Sequence, residues 1–163
     1  MPTKIVECIP NFSEARRPEV VDTIIAAVAS VSGVRVLDRH SDKDHNRTVL
    51  TFVGTPEAVE EAAYLGIAKA AELIDLNHHQ GEHPRMGATD VVPFVPIAGV
   101  TMQECVEMAR RLGKRVVETL DIPVYFFYDA AIRQDRVNLE DIRRGEFEGI
   151  KETIATAPYR EPD

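Results

Sequence analysis

Two strand-like segments, TVLTFV at Thr48–Val53 and VVPFVPI at Val91–Ile97, are apolar on both alternating parities. Val49, Leu50, Phe52 and Val53 carry this in the first, and Val91, Val92, Phe94 and Val95 in the second. A sheet with one face in water shows polar residues on one parity. These segments do not, so the sheet they build requires apolar cover on both faces. Helices of the same chain can supply one layer. The other has to come from a second sheet or a second copy of the chain.

The remaining elements follow from periodicity and punctuation. Lys4–Ile9 is a short β-branched strand that ends at Pro10. Pro18 opens a helix with Val21, Ile24, Ile25, Val28 and Val31 at three-to-four spacing, stopped by Gly33. Val34–Asp38 is the second strand, followed by the polar stretch 39–47 and the third strand, Thr48–Val53. Thr55-Pro56 places an N-cap before proline at the first helical position, and Val59, Ala63, Ile67, Ala70 and Ile74 mark a long helix. The two prolines of Val91–Ile97 predict an edge position or a bulge for the fourth strand. Thr101 and Glu104 form a capping box for a helix that turns Val106, Ala109, Val116 and Leu120 inward. A fifth strand over Val124–Tyr128 and a last helix from Asn138 through Ile154 complete the series. The fold class expected is α/β (α+β): a ferredoxin-like β-α-β-β-α-β start extended by α-β-α, in one mixed sheet. Right-handed crossovers put the helices on one face and leave the other face apolar.

The chain of 163 residues suits a single domain, and 28% charged against 44% hydrophobic residues describes a folded globular protein. A net charge of −8 with no basic stripe argues against nucleic acid as a partner. No apolar run is long enough to cross a membrane, and the start MPTKIVECIPNF lacks the apolar core of a signal peptide, so a cytoplasmic location is expected. Cys8 falls in a strand and Cys105 in a helix, which predicts two buried free thiols in a reducing compartment.

The β-α-β-β-α-β order sends three polar segments to one edge of the sheet: Asn11 and Ser13; His40, Asp42, Asp44, His45, Asn46 and Arg47; and His78 to Asp90. The last contains His79-Gln80-Gly81-Glu82-His83, an H-x-x-E-H string of the kind seen in one class of zinc peptidases. That pattern needs both histidines on one helical face. Gly81 between them and Pro84 after His83 disfavour the helix, so no metal is expected. Two other readings stay open. One is a polar loop whose glycines, Gly81 and Gly87, permit close backbone approach. The other is acid/base chemistry, with His83 as proton carrier, Glu82 or Asp90 orienting its ring and Arg85 holding a carboxylate.

The segments VECIPNFSE, NRTVLTFVG and HHQGEHPRMGATDVVPF, with GVTMQECVEMA and IPVYFFYDAA in the same order, resemble the amino-terminal subdomain of the glutamate formimidoyltransferase family. The likeness spans the chain, so 1–163 is expected to be one such subdomain. It implies transfer of a formimino or formyl group between glutamate and N5 of tetrahydrofolate, the co-substrate, in histidine degradation and one-carbon metabolism. It implies His83 as the catalytic acid/base, and Asn11, Arg47, Gly81, Arg85 and Asp90 as substrate- or folate-binding residues. The family's transferase domain has two subdomains whose sheets face each other. The chain stops at YREPD, about where the linker to the second would begin. A separate second subdomain, or self-association through the open sheet face, is therefore expected. A non-catalytic folate- or protein-binding module derived from the family is the alternative.

Overall fold

Proline decides where the central ladder breaks. A computed structural model describes residues 3–163. In it, β1 (Ile5–Cys8) and β2 (Asn11–Phe12) lie along one line interrupted at Ile9–Pro10. Likewise β5 (Thr89–Val91) and β6 (Phe94–Ala98) are one line interrupted at Val92–Pro93. Proline has no N–H to give to a ladder, so each line is cut at its own proline. The interruptions are bridged: the Ile9 N–H donates to the Pro93 carbonyl at 3.3 Å, and the Leu50 N–H to the Pro10 carbonyl at 3.1 Å.

β4 (Arg47–Gly54) runs beside both halves of the first line, with Cys8 opposite Phe52 and Asn11 opposite Val49. β3 (Arg35–Asp42) flanks β4 on its other side, with an irregularity between Val36 and Asp38. β6 pairs with β1 alone among the described strands, so it forms an edge, as its prolines predict. The lateral order is that of a ferredoxin-like unit. Each described pairing is antiparallel, which corrects the expected mixed sheet. The reason is geometric: each β-α-β connection skips one strand position, and the strand in the gap runs the opposite way.

The helices form where their signals stand. α1 (Pro18–Ala29) and α2 (Pro56–Leu73) have proline in the first turn. The Thr55 side chain caps α2 by accepting from the Ala58 N–H. The Thr101/Glu104 capping box opens α3 (Met102–Leu120). Their apolar faces join Val6, Cys8, Leu50 and Phe52 in one core, and Cys8 and Cys105 are free, buried thiols. The opposite sheet parity carries Val49, Val53 and Val95 beside Glu7 and Thr51, all partly exposed. No helix among the described residues is long and apolar enough to cross a membrane.

Three local expectations are corrected. The stretch 39–47 is not one loop, because β3 continues to Asp42 and the hairpin turns within 43–46, with Asn46 at φ 50°. The last helix is two: α4 (Leu139–Arg143) and α5 (Glu146–Thr153) are separated by a turn in which Gly145 has φ 83° and Glu146 φ 55°. The fifth strand, Val124–Tyr128, does not form. Its backbone bonds instead to residue 163: the Asp163 N–H donates to the Val124 carbonyl at 3.0 Å, and the Phe126 N–H to the Asp163 carboxylate at 2.9 Å. Phe126 lies against Gly113 of α3, where an added Cβ would come within 2.7 Å of its ring. An apolar cavity of about 1010 Å³ is lined by this segment and by residues 91–95.

Phe52 is fully buried at the centre of the core. Phe52→Ala is expected to lower the unfolding free energy by about 3–5 kcal/mol, read from urea denaturation. A loss below about 1 kcal/mol would show that the sheet–helix layer does not support the fold.

Candidate functional site

The predicted convergence of three polar segments is realised, and Asn46 is its joint. Asn46 is buried, its Oδ1 accepts the Ala15 N–H at 2.9 Å, and its Nδ2 donates to the Gln80 carbonyl at 3.0 Å. Asparagine tolerates the left-handed backbone that the hairpin requires here. Gly81 packs directly on this turn. A Cβ at residue 81 would stand 2.4 Å from the His45 carbonyl oxygen and 2.8 Å from the Asn46 Cβ. Only glycine allows that approach, and it lets the Glu82 N–H reach the Asp44 carbonyl at 3.1 Å and the His83 N–H the His45 carbonyl at 3.4 Å. Farther along the loop, Ser13 donates its hydroxyl to the Gly87 carbonyl at 2.8 Å and its N–H to the Ala88 carbonyl at 2.9 Å.

In this frame the His83 ring meets the Asp90 carboxylate, Nε2 to Oδ2 at 3.3 Å, with side-chain exposures of 4% and 0%. Asp90 also accepts the Met86 N–H on Oδ1 at 2.7 Å and an Nη2 hydrogen of Arg143 on Oδ2. Burial opposes ionisation of this carboxyl. The donors from His83, Met86 and Arg143 outweigh it and hold Asp90 below the ordinary carboxylate range. An anionic Asp90 assigns the shared hydrogen to Nε2 of His83. Nδ1 makes no hydrogen bond among the described residues, and in the neutral ring it is the nitrogen that carries the lone pair. A neutral imidazole oriented in this way can take a proton and return it.

Arg85 is buried, and all its N–H groups find acceptors within the chain. Nε donates to His79 Nδ1 at 3.1 Å, Nη1 to Glu146 at 2.9 Å and Glu148 at 3.0 Å, and Nη2 to Glu148 at 2.7 Å and the His79 carbonyl at 3.4 Å. The hydrogen bond and charge of Glu148, reinforced by Glu146, raise the guanidinium pKa against the effect of burial. Because His79 Nδ1 accepts from Arg85, its hydrogen sits on Nε2, which faces the Asn46 carbonyl at 3.3 Å. Burial, aided by the Arg85 charge, pushes His79 below the usual imidazole value. His79 and His83 thus point to different partners, and residues 79–83 are not helical.

Gly81, His83 and Arg85 are therefore gathered in one loop, with Asp90 on β5 at its end. Arg47 begins β4 opposite Asp42, next to the Asn46 joint, and its buried Nε lacks a partner among the described residues. Asn11 stands on the open sheet parity opposite Val49, its amide donating to the Ile9 carbonyl at 3.3 Å. Asn46 and His79 lie in segments marked by their polar composition, and asparagine in the HNR turn is itself a left-handed-backbone signal. Arg143, Glu146 and Glu148 carried no local sign. They reach the loop only because α4 and α5 fold back on it.

The family described as the formiminotransferase domain, N-terminal subdomain, matches residues 5–163. The chain is 49% identical over 151 residues to the glutamate formimidoyltransferase of Streptococcus pyogenes serotype M1, covering 93% of this chain and 50% of that protein. It is 50% identical over 161 residues to the glutamate formimidoyltransferase of Thermoplasma acidophilum, covering 98% and 53%. With the formimidoyltransferase-cyclodeaminase of Sus scrofa it is 48% identical over 157 residues, covering 96% and 29%. The chain spans about half the length of the first two relatives and under a third of the other.

A histidine held below its unfolded value contributes stability above that value and loses it as pH falls, because the unfolded chain takes up the proton first. For His79 this window lies around and below the ordinary value near 6.5. Asp90, depressed from 3.8, acts only in more acidic solution. The urea midpoint is expected to fall between about pH 7.5 and about pH 5.5, and to fall less in His79→Gln. Equal falls in both proteins would contradict the assignment.

Proposed function

The chain belongs to the formiminotransferase-domain N-terminal-subdomain family, and from that membership we propose that it supplies the His83-bearing half of a folate-dependent glutamate formimidoyltransferase. The reaction moves a formimino, or formyl, group between the glutamate nitrogen and N5 of tetrahydrofolate, in histidine degradation and one-carbon metabolism. The observation that supports the reading is the buried His83–Asp90 pair, in which Asp90 engages Nε2 and Nδ1 has no hydrogen bond among the described residues.

Attack by N5 on the formimino carbon requires N5 to lose a proton, and collapse of the tetrahedral intermediate requires the departing glutamate nitrogen to gain one. His83 serves both steps, taking the first proton on Nδ1 and returning it to the leaving nitrogen. Asp90 keeps the ring in the tautomer that does this. Gly81 allows the loop to sit against the hairpin, while Asn11 and Arg47 face the substrates from the sheet. Arg85 binds a substrate carboxylate if that group displaces Glu146 or Glu148, which present the same chemistry to it in the free chain. The partly exposed Val49, Val53 and Val95, with the exposed Leu37 and Ile97, are the surface on which a second subdomain or a second copy would close. Free, buried Cys8 and Cys105 suit a cytoplasmic setting.

A second reading has two observations in its favour: Arg85 is saturated from within and His83 is buried. On that reading the chain is a non-catalytic folate- or protein-binding module. The two separate in one experiment. The chain is combined with a second subdomain from a related transferase, and transfer from formiminoglutamate or formylglutamate to tetrahydrofolate is measured. The complete assembly is expected to turn over, and His83→Ala to reduce kcat by about 10²- to 10⁴-fold. Tight folate binding by a stoichiometric complex, without transfer from either donor, would establish the module instead.

A further inference from the structure

We propose that Arg143 is a positioning residue of the His83 site: it stabilises the buried Asp90 anion, and so lets Asp90 hold His83 as a neutral ring with its hydrogen on Nε2 and its lone pair on Nδ1. The inference about the ring stands on geometry alone, and its consequence for catalysis rests on the function proposed above.

Arg143 Nη2 and His83 Nε2 converge on the same oxygen, Asp90 Oδ2, while the Met86 N–H occupies Oδ1. The Asp90 side chain has no solvent exposure. A buried carboxylate facing only a neutral ring and a backbone N–H would carry an uncompensated charge, and such a pair relieves it by holding a proton. Arg143 removes that need. The cation makes the anionic carboxylate and the neutral imidazole compatible in one dry place, which is the state a general base must occupy before it acts.

The backbone is built to deliver this one guanidinium. Arg143 ends α4, whose Ile142 is buried, and the chain leaves through the left-handed Gly145. Arg160, itself buried, donates to the carbonyls of Ile142 and Arg144, the residues on either side of Arg143. The two adjacent arginines differ accordingly. The Arg143 side chain is 18% exposed and turned to Asp90, whereas that of Arg144 is 79% exposed and bonds Asp141 at the surface. The ionisable residues tied to the His83 segment are Asp90 of β5 on the ring, Arg143 of α4 on Asp90, Glu82 and Arg85 beside it in sequence, and Asp44 and His45 of the hairpin, whose carbonyls accept the Glu82 and His83 N–H groups. Arg85 is already paired with Glu146 and Glu148. Arg143 is the cation on the Asp90 carboxylate.

The test uses the full chain with isotope-labelled histidine, read by nuclear magnetic resonance. In the native chain near neutral pH the nitrogen shifts of His83 should show hydrogen on Nε2. A hydrogen on Nδ1 would overturn the proposal without any variant, so failure of a variant to fold cannot protect it. In Arg143→Gln the pair should keep its proton to higher pH, the ring titration rising by about one unit or more, or the ring should change tautomer. Arg143→Lys should return most of the way to native behaviour. Native titration and native tautomer in a folded Arg143→Gln would also overturn it. In the assembled transferase the acid limb of kcat/KM should move up in Arg143→Gln. Altered resonances in an assembly that transfers nothing would refute the proposed function and leave the positioning role intact. An active variant with an unmoved limb would refute the positioning role.

Discussion

A single buried carboxylate sets the terms for the candidate site. Asp90 sits on a three-residue strand with no exposure of its side chain, where an unpaired charge would be intolerable. Its donors come from three levels of the structure: the backbone of Met86 four residues away, the ring of His83 in the same loop, and the guanidinium of Arg143 from the far end of the chain. The contacts that satisfy that carboxylate tie together the loop, the His83 ring and α4. The loop conformation, the orientation of the His83 ring and the fold of the last quarter of the chain are thus coupled through one anion.

The loop could not meet that demand unless the sheet brought its neighbours within reach. Pro10 and Pro93 cut the first and fourth strand lines at matching heights, and the backbone crosses both cuts with Ile9 bonded to Pro93 and Leu50 to Pro10. Beyond the cuts, β2 and β5 carry the loop to the hairpin. There Asn46 and Gly81 supply what no generic residue could: a side chain that bonds both neighbouring segments from a left-handed backbone, and a backbone with no Cβ to collide with His45. Rigidity of this kind is what permits the His83 ring to be held in one orientation.

Arg85 illustrates how context changes the meaning of a residue. In sequence it is a cation in a loop, suited to a substrate carboxylate. In the structure Glu146 and Glu148 already provide carboxylates to it, presented by the left-handed turn at Gly145 and Glu146. The chemistry inferred for the guanidinium is the chemistry it performs, but the acceptors belong to the chain itself.

Much of the architecture was legible in the sequence, for local physical reasons. Thr55-Pro56 and the Thr101/Glu104 box mark helix starts because caps act within one turn, whereas the choice of Leu50 and Phe52 over Val49 and Val53 for the core needed the packed helices, since both parities are apolar. The skipped strand positions of the β-α-β-β-α-β order place three polar segments at one edge, and Gly81 and Pro84 exclude the helix that a paired-histidine metal motif needs. Tertiary structure alone decided the rest. Val124–Tyr128 has the composition of a strand, but Asp163 takes the backbone hydrogen bonds of Val124 and Phe126, and Gly113 of α3 receives the side chains of the same two residues. The helix written across 138–154 divides at Gly145, where the turn aims Glu146 and Glu148 at Arg85. Arg143 and Arg144 are chemically identical in the sequence. What separates them is that one faces a buried anion 53 positions away and the other faces water, and no local pattern encodes a contact that exists only after the chain has closed on itself.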